Sequence, residues 1–509
     1  MAVARAYAVG LVGMDGHVVE VEADLALGLP GLTVTGLPDA ALAEARDRVR
    51  AAVVNSGQAW PQRRITLGLS PAWLPKRGSG FDLALAVSVL AAAAVVPAGA
   101  LPSRVLLGEL GLDGRVRPLR GVLPAVLTAA RAGFEQVVVP QGNLAEAQLV
   151  PGVRAVGVAT LAGLVALLRG EPYDEPLPAP EEPVEQGAPP DLLDVAGQVT
   201  GRTAVEVAAA GGHHLLLLGP PGSGKTMLAE RLPGVLPPLS GQTALEVTAI
   251  HSVAGALPPG QPLITRPPFQ DPHHTATVSS VVGGGSGVAR PGAASLAHGG
   301  VLFLDEAPEF GRGVLDALRQ PLESGRLQIR RVGGTAVYPA RFTLVLAANP
   351  CPCARREQDC TCAPDARRRY LARLSGPLLD RVDMHVQVPR ITRAELLAEQ
   401  GLGEPSAAVA ARVAAARGRA AARYAGTPWR TNGDVPGVEL LRRWPLPRAA
   451  TRVAEQALDA GLLTARGYGR VARLAWTLSD LQDAGQPGEG QVAMALGYRL
   501  GRHAVGVAA

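Results

Sequence analysis

Short apolar runs of strand length alternate along this chain with longer stretches of helical spacing. Residues 17–21 and 64–69 read as strands, and the alanine-rich residues 40–54 and 81–94 as helices, so the first part is predicted to be an α/β or α+β domain. Residues 171–191 (EPYDEPLPAPEEPVEQGAPPD) lose all periodicity and have the composition of a linker. Beyond them the apolar runs at 213–218, 301–304 and 342–348 are separated by helical patterns, as in a parallel sheet flanked by helices. From about residue 394 the pattern is nearly all helix, rich in Ala, Leu and Arg, with breaks at Gly426-Thr-Pro428 and Trp444-Pro445. The expected division is therefore 1–170, a linker at 171–191, 192–393 and 394–509, with no internal repeat.

Bulk properties narrow the class. The longest apolar stretch, residues 83–96, is 14 residues long, contains Ser88 and stops at Pro97, which is short of a bilayer crossing. No signal-peptide layout opens the chain, so a cytoplasmic location is expected. The net charge of +5 is uneven: residues 171–200 hold eight carboxylates and no Lys or Arg, leaving +13 on the rest. That balance favours an acidic polymer as partner, although arginines that merely solvate the surface would give the same number. Four cysteines in a cytoplasmic chain argue against structural disulfides.

The basic side chains are almost all arginine. Only Lys76 and Lys225 are lysines, and Lys225 lies in the run Gly219, Pro220, Pro221, Gly222, Ser223, Gly224, Lys225, Thr226. This G-x4-G-K-T spacing is that of a phosphate-binding loop: backbone N–H groups cradle phosphates, the lysine reaches the β/γ oxygens, and the threonine hydroxyl meets Mg²⁺. Guanidinium is too wide for that enclosed point-charge role. A strand-length run precedes the loop and a helical pattern follows it, which is the required context.

Nucleotide hydrolysis needs two further carboxylates. Val301-Leu-Phe-Leu-Asp-Glu306 is a buried-strand pattern ending in Asp305, suited to hold Mg²⁺, and Glu306, suited to orient the attacking water. The run from Phe342 ends in Asn349, which either helps to place that water or only starts the turn into Pro350. In Ser375-Gly-Pro-Leu-Leu-Asp-Arg-Val-Asp383, Arg381 is the candidate for an arginine presented to a neighbour's γ-phosphate, against a background of 47 arginines.

With these residues in place, the chain resembles the AAA+ ATPases, specifically the magnesium-chelatase-like branch that includes the ComM/YifB competence proteins. The resemblance runs nearly end to end. It is carried by Gly36-Leu-Pro-Asp39, Leu74-Pro-Lys-Arg-Gly-Ser-Gly-Phe-Asp82, Asp194-Val-Ala-Gly-Gln198, Pro272-His-His-Thr275, the segment from Ser295 to Glu306, Asn349-Pro-Cys-Pro-Cys353 and the stretch from Ser375 to Asp383. It implies an AAA+ P-loop core, an N-terminal Lon-protease/ribosomal-S5-like α+β domain and a C-terminal helical lid. It further implies a homo-hexameric, ATP-driven motor on single-stranded and branched DNA that promotes branch migration, as in natural transformation. Lys225 and Thr226 are then assigned to nucleotide and Mg²⁺, Asp305 and Glu306 to hydrolysis, Asn349 to sensor 1, Arg381 to the trans finger, and Arg466, or alternatively Arg470, to sensor 2. A metal-insertion ATPase and an ATP-regulated protein-remodelling module are the competing readings.

The sequence departs from the family's pattern at Gln270 and Ala293, where arginine and glutamate are expected. In the first domain, Leu123 and Gly80 stand where the Lon-type lysine and serine would be, so no peptidase activity is expected. Lys76 has no assigned role.

Two further elements carry chemistry. Cys351, Cys353, Cys360 and Cys362 fall within twelve residues, a pattern that suits one tetrahedral Zn²⁺, with free thiols or a redox pair as the alternatives. Residues 327–338 read as two strands around Gly333-Gly334, with Arg330 and Arg331 near the tip as candidates for DNA phosphate contact in a central pore. The glycine-rich residues 267–292, with His273 and His274, are expected to form a second inserted pore element, and H-H alone is poor support for a metal pair.

Overall fold

The computed structural model describes residues 3–36, 40–74, 76, 78–173, 187, 189–258, 260–285, 289–331, 334–355, 360–392 and 403–501. Most of the linker, Leu37-Pro-Asp39, Pro75, Arg77, part of the second inserted element (286–288), Gly333 and the start of the helical region (393–402) lie outside these residues.

The N-terminal region is built on a seven-stranded mixed sheet, ordered Gly31–Thr35, Arg64–Ser70, Asp15–Ala26, Ala4–Val12, Arg104–Leu106, Gln136–Pro140, Arg154–Val158. In Arg64–Ser70 strict alternation turns Ile65, Leu67 and Leu69 inward, into the apolar cluster that also holds Val19 and Val21 of the neighbouring strand. The apolar run at 83–96 becomes the helix Asp82–Ala92, whose residues are almost all buried, so it is a core helix. Among the described residues, no helix is long and apolar enough to cross a membrane.

The second sheet has five strands, all parallel, in the order Phe269–Gln270, Val301–Leu304, Thr343–Ala348, Leu215–Leu218, Met384–Gln387. Val301–Leu304 and Thr343–Ala348 are buried throughout, as expected for parallel strands covered on both faces. Their ends lie together because the register pairs Leu304 with Leu346 and Leu218 with Ala348. The residues that follow these strands, Asp305, Asn349 and Gly219, therefore converge on one edge, where open α/β sheets place ligands.

Among the described residues after 403 the α-helices are Ser406–Arg423, Gly437–Arg443, Arg448–Asp459, Ala465–Leu481 and Glu489–Leu500. The breaks expected at Gly426-Thr-Pro428 and Trp444-Pro445 fall between helices. Ala465–Leu481 is their hub, burying Val471, Leu474, Ala475 and Leu478 in the apolar cluster that also holds Leu215, Leu217 and Val386 of the sheet.

The N-terminal region docks on the helix Gly241–Ala254. Ala249 of that helix joins the apolar cluster around Leu123, Val126 and Val137. Beside it the buried Glu146 carboxylate accepts from Leu123 N–H at 2.8 Å, from Asn143 Nδ2 at 3.2 Å and from the Ser252 hydroxyl across the interface. Burial pushes the Glu146 carboxyl pKa up, against these three donors. A second contact sets Gly13 against the hairpin, where a Cβ on Gly13 would stand 2.9 Å from Ala336.

Candidate nucleotide site and its flanking metal and DNA elements

The phosphate loop leaves Leu215–Leu218 and enters the helix Lys225–Val235. Gly222 and Gly224 have φ of 72° and 90°, conformations that exclude most side chains. Gly219 is constrained differently: a Cβ there would lie 2.1 Å from the Val388 carbonyl oxygen. The loop is braced by Gln198, a left-handed residue with φ 53°, whose Nε2 donates to the Ser223 carbonyl at 2.8 Å and also to the Pro389 carbonyl at 2.5 Å. Arg390 adds a bond to the Pro221 carbonyl at 3.2 Å.

Lys225 is 8% exposed and donates to the carbonyls of Gly219 and Pro220, at 2.8 and 3.0 Å, and to Asn349 Oδ1 at 3.1 Å. Burial lowers its pKa, partly offset by the Asp305 and Glu306 carboxylates. The Thr226 hydroxyl donates to Asp305 Oδ2 at 2.9 Å. This hydroxyl and carboxylate are oxygen donors held together beside the phosphate cradle, so they fit a Mg²⁺ that keeps several waters. Bound there, Mg²⁺ would neutralise phosphate charge.

Glu306 follows at φ 49° and ψ 42°, a left-handed conformation in a non-glycine residue. Its Oε2 lies 3.3 Å from His274 Nδ1. His274 follows the edge strand Phe269–Gln270, which pairs with Val301–Leu304, so the topology brings histidine and glutamate to the same edge. Sequence reading set His273 and His274 in the insert and missed this partner. Of the two departures from the family pattern, Gln270 ends that edge strand and Ala293 opens the short helix Ala293–Leu296.

The two sensor-2 candidates separate. Arg466 is exposed and makes no hydrogen bond or ion pair among the described residues. Arg470 is committed elsewhere: it pairs with the buried Asp383 and donates to the Arg381 carbonyl at 3.2 Å. Burial alone would raise the Asp383 pKa, but Arg470 and the neighbouring histidines hold it well below the carboxylate range. Arg381 also faces its own chain, paired with Glu323 and donating to the Pro377 carbonyl at 2.6 Å. To reach a neighbour's phosphate it must leave Glu323.

The four cysteine sulfurs lie within 4.8 Å of one another. Three of the Sγ–Sγ separations are 3.1, 3.4 and 3.5 Å. A tetrahedral site with Zn–S bonds of ~2.3 Å needs sulfurs about 3.8 Å apart, so small adjustments fit the ion. Burial pushes Cys351 up to about 12, whereas the Cys362 N–H and Cys351 bring Cys360 down to about 6, with Arg367 Nη2 at 3.2 Å from its sulfur. A cavity of about 270 Å³ separates the cluster from the phosphate loop, lined by Gly219, Pro220, Cys351, Arg355, Cys360 and Arg367.

The hairpin forms from Arg326–Arg331 and Gly334–Pro339. Leu327, Ile329, Ala336 and Tyr338 are buried on one face, and Arg330 and Arg331 are exposed. Tyr338 donates to the Ala289 carbonyl at 2.5 Å, and a Cβ on Gly283 would stand 2.7 Å from Ile329, so hairpin and second insert pack as one unit.

In the N-terminal region Leu123 is buried in the docking cluster, and a Cβ on Gly80 would have Leu119 at 3.5 Å. Lys76 is fully buried and donates to the Pro71 carbonyl, and burial lowers its pKa.

Comparison with known proteins agrees with this geometry. Three family descriptions cover most of the chain: "Magnesium chelatase, subunit ChlI" matches residues 191–396, "Subunit ChlI of Mg-chelatase" residues 21–143, and "Magnesium chelatase, subunit ChlI C-terminal" residues 403–499. The competence protein ComM of Haemophilus influenzae is 40% identical over 507 residues, 98% of each chain. The chain belongs to the magnesium-chelatase-like ComM/YifB family. Another ComM/YifB relative, protein YifB of Salmonella typhimurium, is 40% identical over 500 residues, 98% of this chain and 97% of its own. An uncharacterized protein of Mycobacterium tuberculosis is 55% identical over 500 residues, 98% of this chain and 99% of its own. A partial match, 31% identical over 165 residues, links this ComM/YifB chain to a Lon protease of Salinispora arenicola. Membership of the AAA+-like magnesium-chelatase family is consistent with ATP and Mg²⁺ at the site described above.

Proposed function

We propose that this protein is an ATP-dependent DNA translocase that works as a cytoplasmic homo-hexamer and promotes branch migration of recombination intermediates, in a competence-related role. The observation that carries the reading is the join between the two halves of the machine. The exposed Arg330 and Arg331 sit on a hairpin packed against the insert that begins beside Glu306. A ring of such hairpins offers sequence-independent phosphate contacts, as a motor on any branched DNA requires. The relationship to a competence protein points the same way.

Within this reading Lys225 and the loop amides bind ATP, Thr226 and Asp305 hold Mg²⁺, Glu306 orients the attacking water and Asn349 serves as sensor 1. Arg381 completes the neighbour's site and Arg466 acts as sensor 2. Zn²⁺ held by the four cysteines would pin the turn after Asn349. The test is ATP hydrolysis by a pure hexamer with a synthetic four-way junction. Stimulated hydrolysis with strand movement is expected, whereas hydrolysis without strand movement would sink the proposal.

A further inference from the structure

Every residue from Leu379 to Asp383, the stretch that carries Arg381, is gripped by one of two arginines of the C-terminal helices. Arg470 of Ala465–Leu481 donates to the Arg381 carbonyl at 3.2 Å and pairs with the Asp383 carboxylate. Arg499, in the last turn of Glu489–Leu500, donates to the Val382 carbonyl and, at 3.5 Å, to the Leu379 carbonyl. Its Nη2 also lies 3.5 Å from Asp380 Oδ1. The Arg499 side chain is 11% exposed, so these bonds are shielded from water, and one rigid fork serves three acceptors.

The helix that presents Arg499 is itself anchored. Val492, Ala495 and Leu496 are buried in the apolar cluster that holds Met384 and Val386, and a Cβ on Gly501 would stand 3.5 Å from that of His385. These three sheet residues belong to Met384–Gln387, the strand that directly follows the gripped stretch. The Arg381 side chain, by contrast, is incompletely satisfied: it pairs with Glu323 and donates to the Pro377 carbonyl, but its Nε is buried without a hydrogen-bond partner among the described residues. A buried donor left unmade weakens that pose. A fixed backbone bearing a loosely parked guanidinium is what a side chain needs to reach across a subunit boundary from a constant origin.

We infer that Arg499 is a positioning residue for ATP hydrolysis in the neighbouring subunit: it fixes the backbone from which Arg381 reaches the neighbour's γ-phosphate, and it serves no step at its own chain's site. The inference rests on the trans role given to Arg381 in the proposed function, and needs nothing from the DNA-motor part of that reading. Arg499 is a cleaner handle than Arg470, because its removal strands no buried carboxylate: Asp380 is nearly half exposed.

The test measures ATP turnover without DNA, and binding of a fluorescent ATP analogue, in the full-length protein. Wild type, Arg499→Met, Arg381→Ala and Glu306→Gln are compared with equal mixtures of each arginine variant and Glu306→Gln. Arg499→Met is expected to lower kcat at least about tenfold, less than Arg381→Ala does, while each chain still binds the analogue with wild-type affinity. Glu306→Gln keeps the finger and lacks its own turnover, so both mixtures should hydrolyse ATP faster than the sum of their separate components. A merely structural defect would stay with the chain that carries it and gain nothing from a neighbour. Should methionine not fold, Arg499→Gln, which keeps one donor for a carbonyl, takes its place in the same mixture. Wild-type kcat in Arg499→Met overturns the inference, as does recovery in the Arg381→Ala mixture without recovery in the Arg499 mixture. If neither mixture recovers, the trans role of Arg381 falls and this inference falls with it.

Discussion

Lys225 Nζ lies 3.1 Å from Asn349 Oδ1, so the phosphate-loop lysine and the residue ending the neighbouring strand share one hydrogen bond. When phosphate arrives the ammonium must exchange this partner and two carbonyls for oxygens of the nucleotide. A guanidinium cannot make that exchange in the same space. Lys225→Arg should therefore weaken nucleotide binding by at least about tenfold with the fold intact, read by titration with a fluorescent ATP analogue.

Arg466 and Arg470 predict opposite phenotypes. Arg470→Met removes the cation paired with Asp383, 3% exposed, leaving that buried carboxylate only its contacts to His213 and the His214 N–H, and should cost about 3 kcal/mol of stability. Arg466→Ala should leave the denaturation midpoint unchanged and lower ATP turnover. Denaturant titration and steady-state ATPase on both variants separate the two roles.

The cysteine cluster predicts one Zn²⁺ per chain by elemental analysis of the purified protein. Cys360→Ser should lower that stoichiometry toward zero, because a serine hydroxyl is a poor substitute for a thiolate at a tetrahedral sulfur site. A full complement of metal in this variant would count against the assignment.

Arg330 and Arg331 predict a change in salt dependence. Replacing both by alanine removes two phosphate contacts from each subunit that engages DNA, so the slope of log affinity against log salt should become shallower by about 2 for each such subunit. Binding should weaken equally for unrelated sequences, as measured by fluorescence anisotropy across a salt series.

Two histidines predict an acid-sensitive fold. Burial pushes His214 and His385 down from the usual 6.5 to about 4. Between those values the unfolded chain binds protons that the folded chain refuses, so stability falls as pH falls through this window. The loss should be roughly 2 kcal/mol per histidine, allowing for partial exposure, and His385→Gln should flatten the pH dependence of the denaturation midpoint.

Much of the nucleotide site is legible in sequence because its parts are local. Strand, glycine loop and helix must follow one another for Lys225 and Thr226 to work, and Asp305 and Asn349 each end an apolar run. Pairings between distant segments are not legible in the same way. His274 and Glu306 meet only because Phe269–Gln270 lies beside Val301–Leu304, and a two-residue strand is too short to show periodicity. The signal that singled out Asn349, a polar residue just after a strand, would have picked Asp271, because His274 stands four residues beyond Gln270. Gln198 lies in a motif quoted for resemblance, but its hold on Ser223 depends on a left-handed backbone that sequence alone does not announce. Arg470 had a motif and no partner until the fold set Asp383 beside it.

The seat of the N-terminal region on the helix Gly241–Ala254 bears on how the proposed ring should be studied. A fragment starting after the linker would bare Leu245 and Ala249 and leave the Ser252 hydroxyl without its carboxylate. Such a face is adhesive, and copies of the fragment would gather through it in arrangements that the whole chain forbids. Particle sizes measured on the isolated ATPase portion would then report this stickiness, and subunit number should be counted with all 509 residues present.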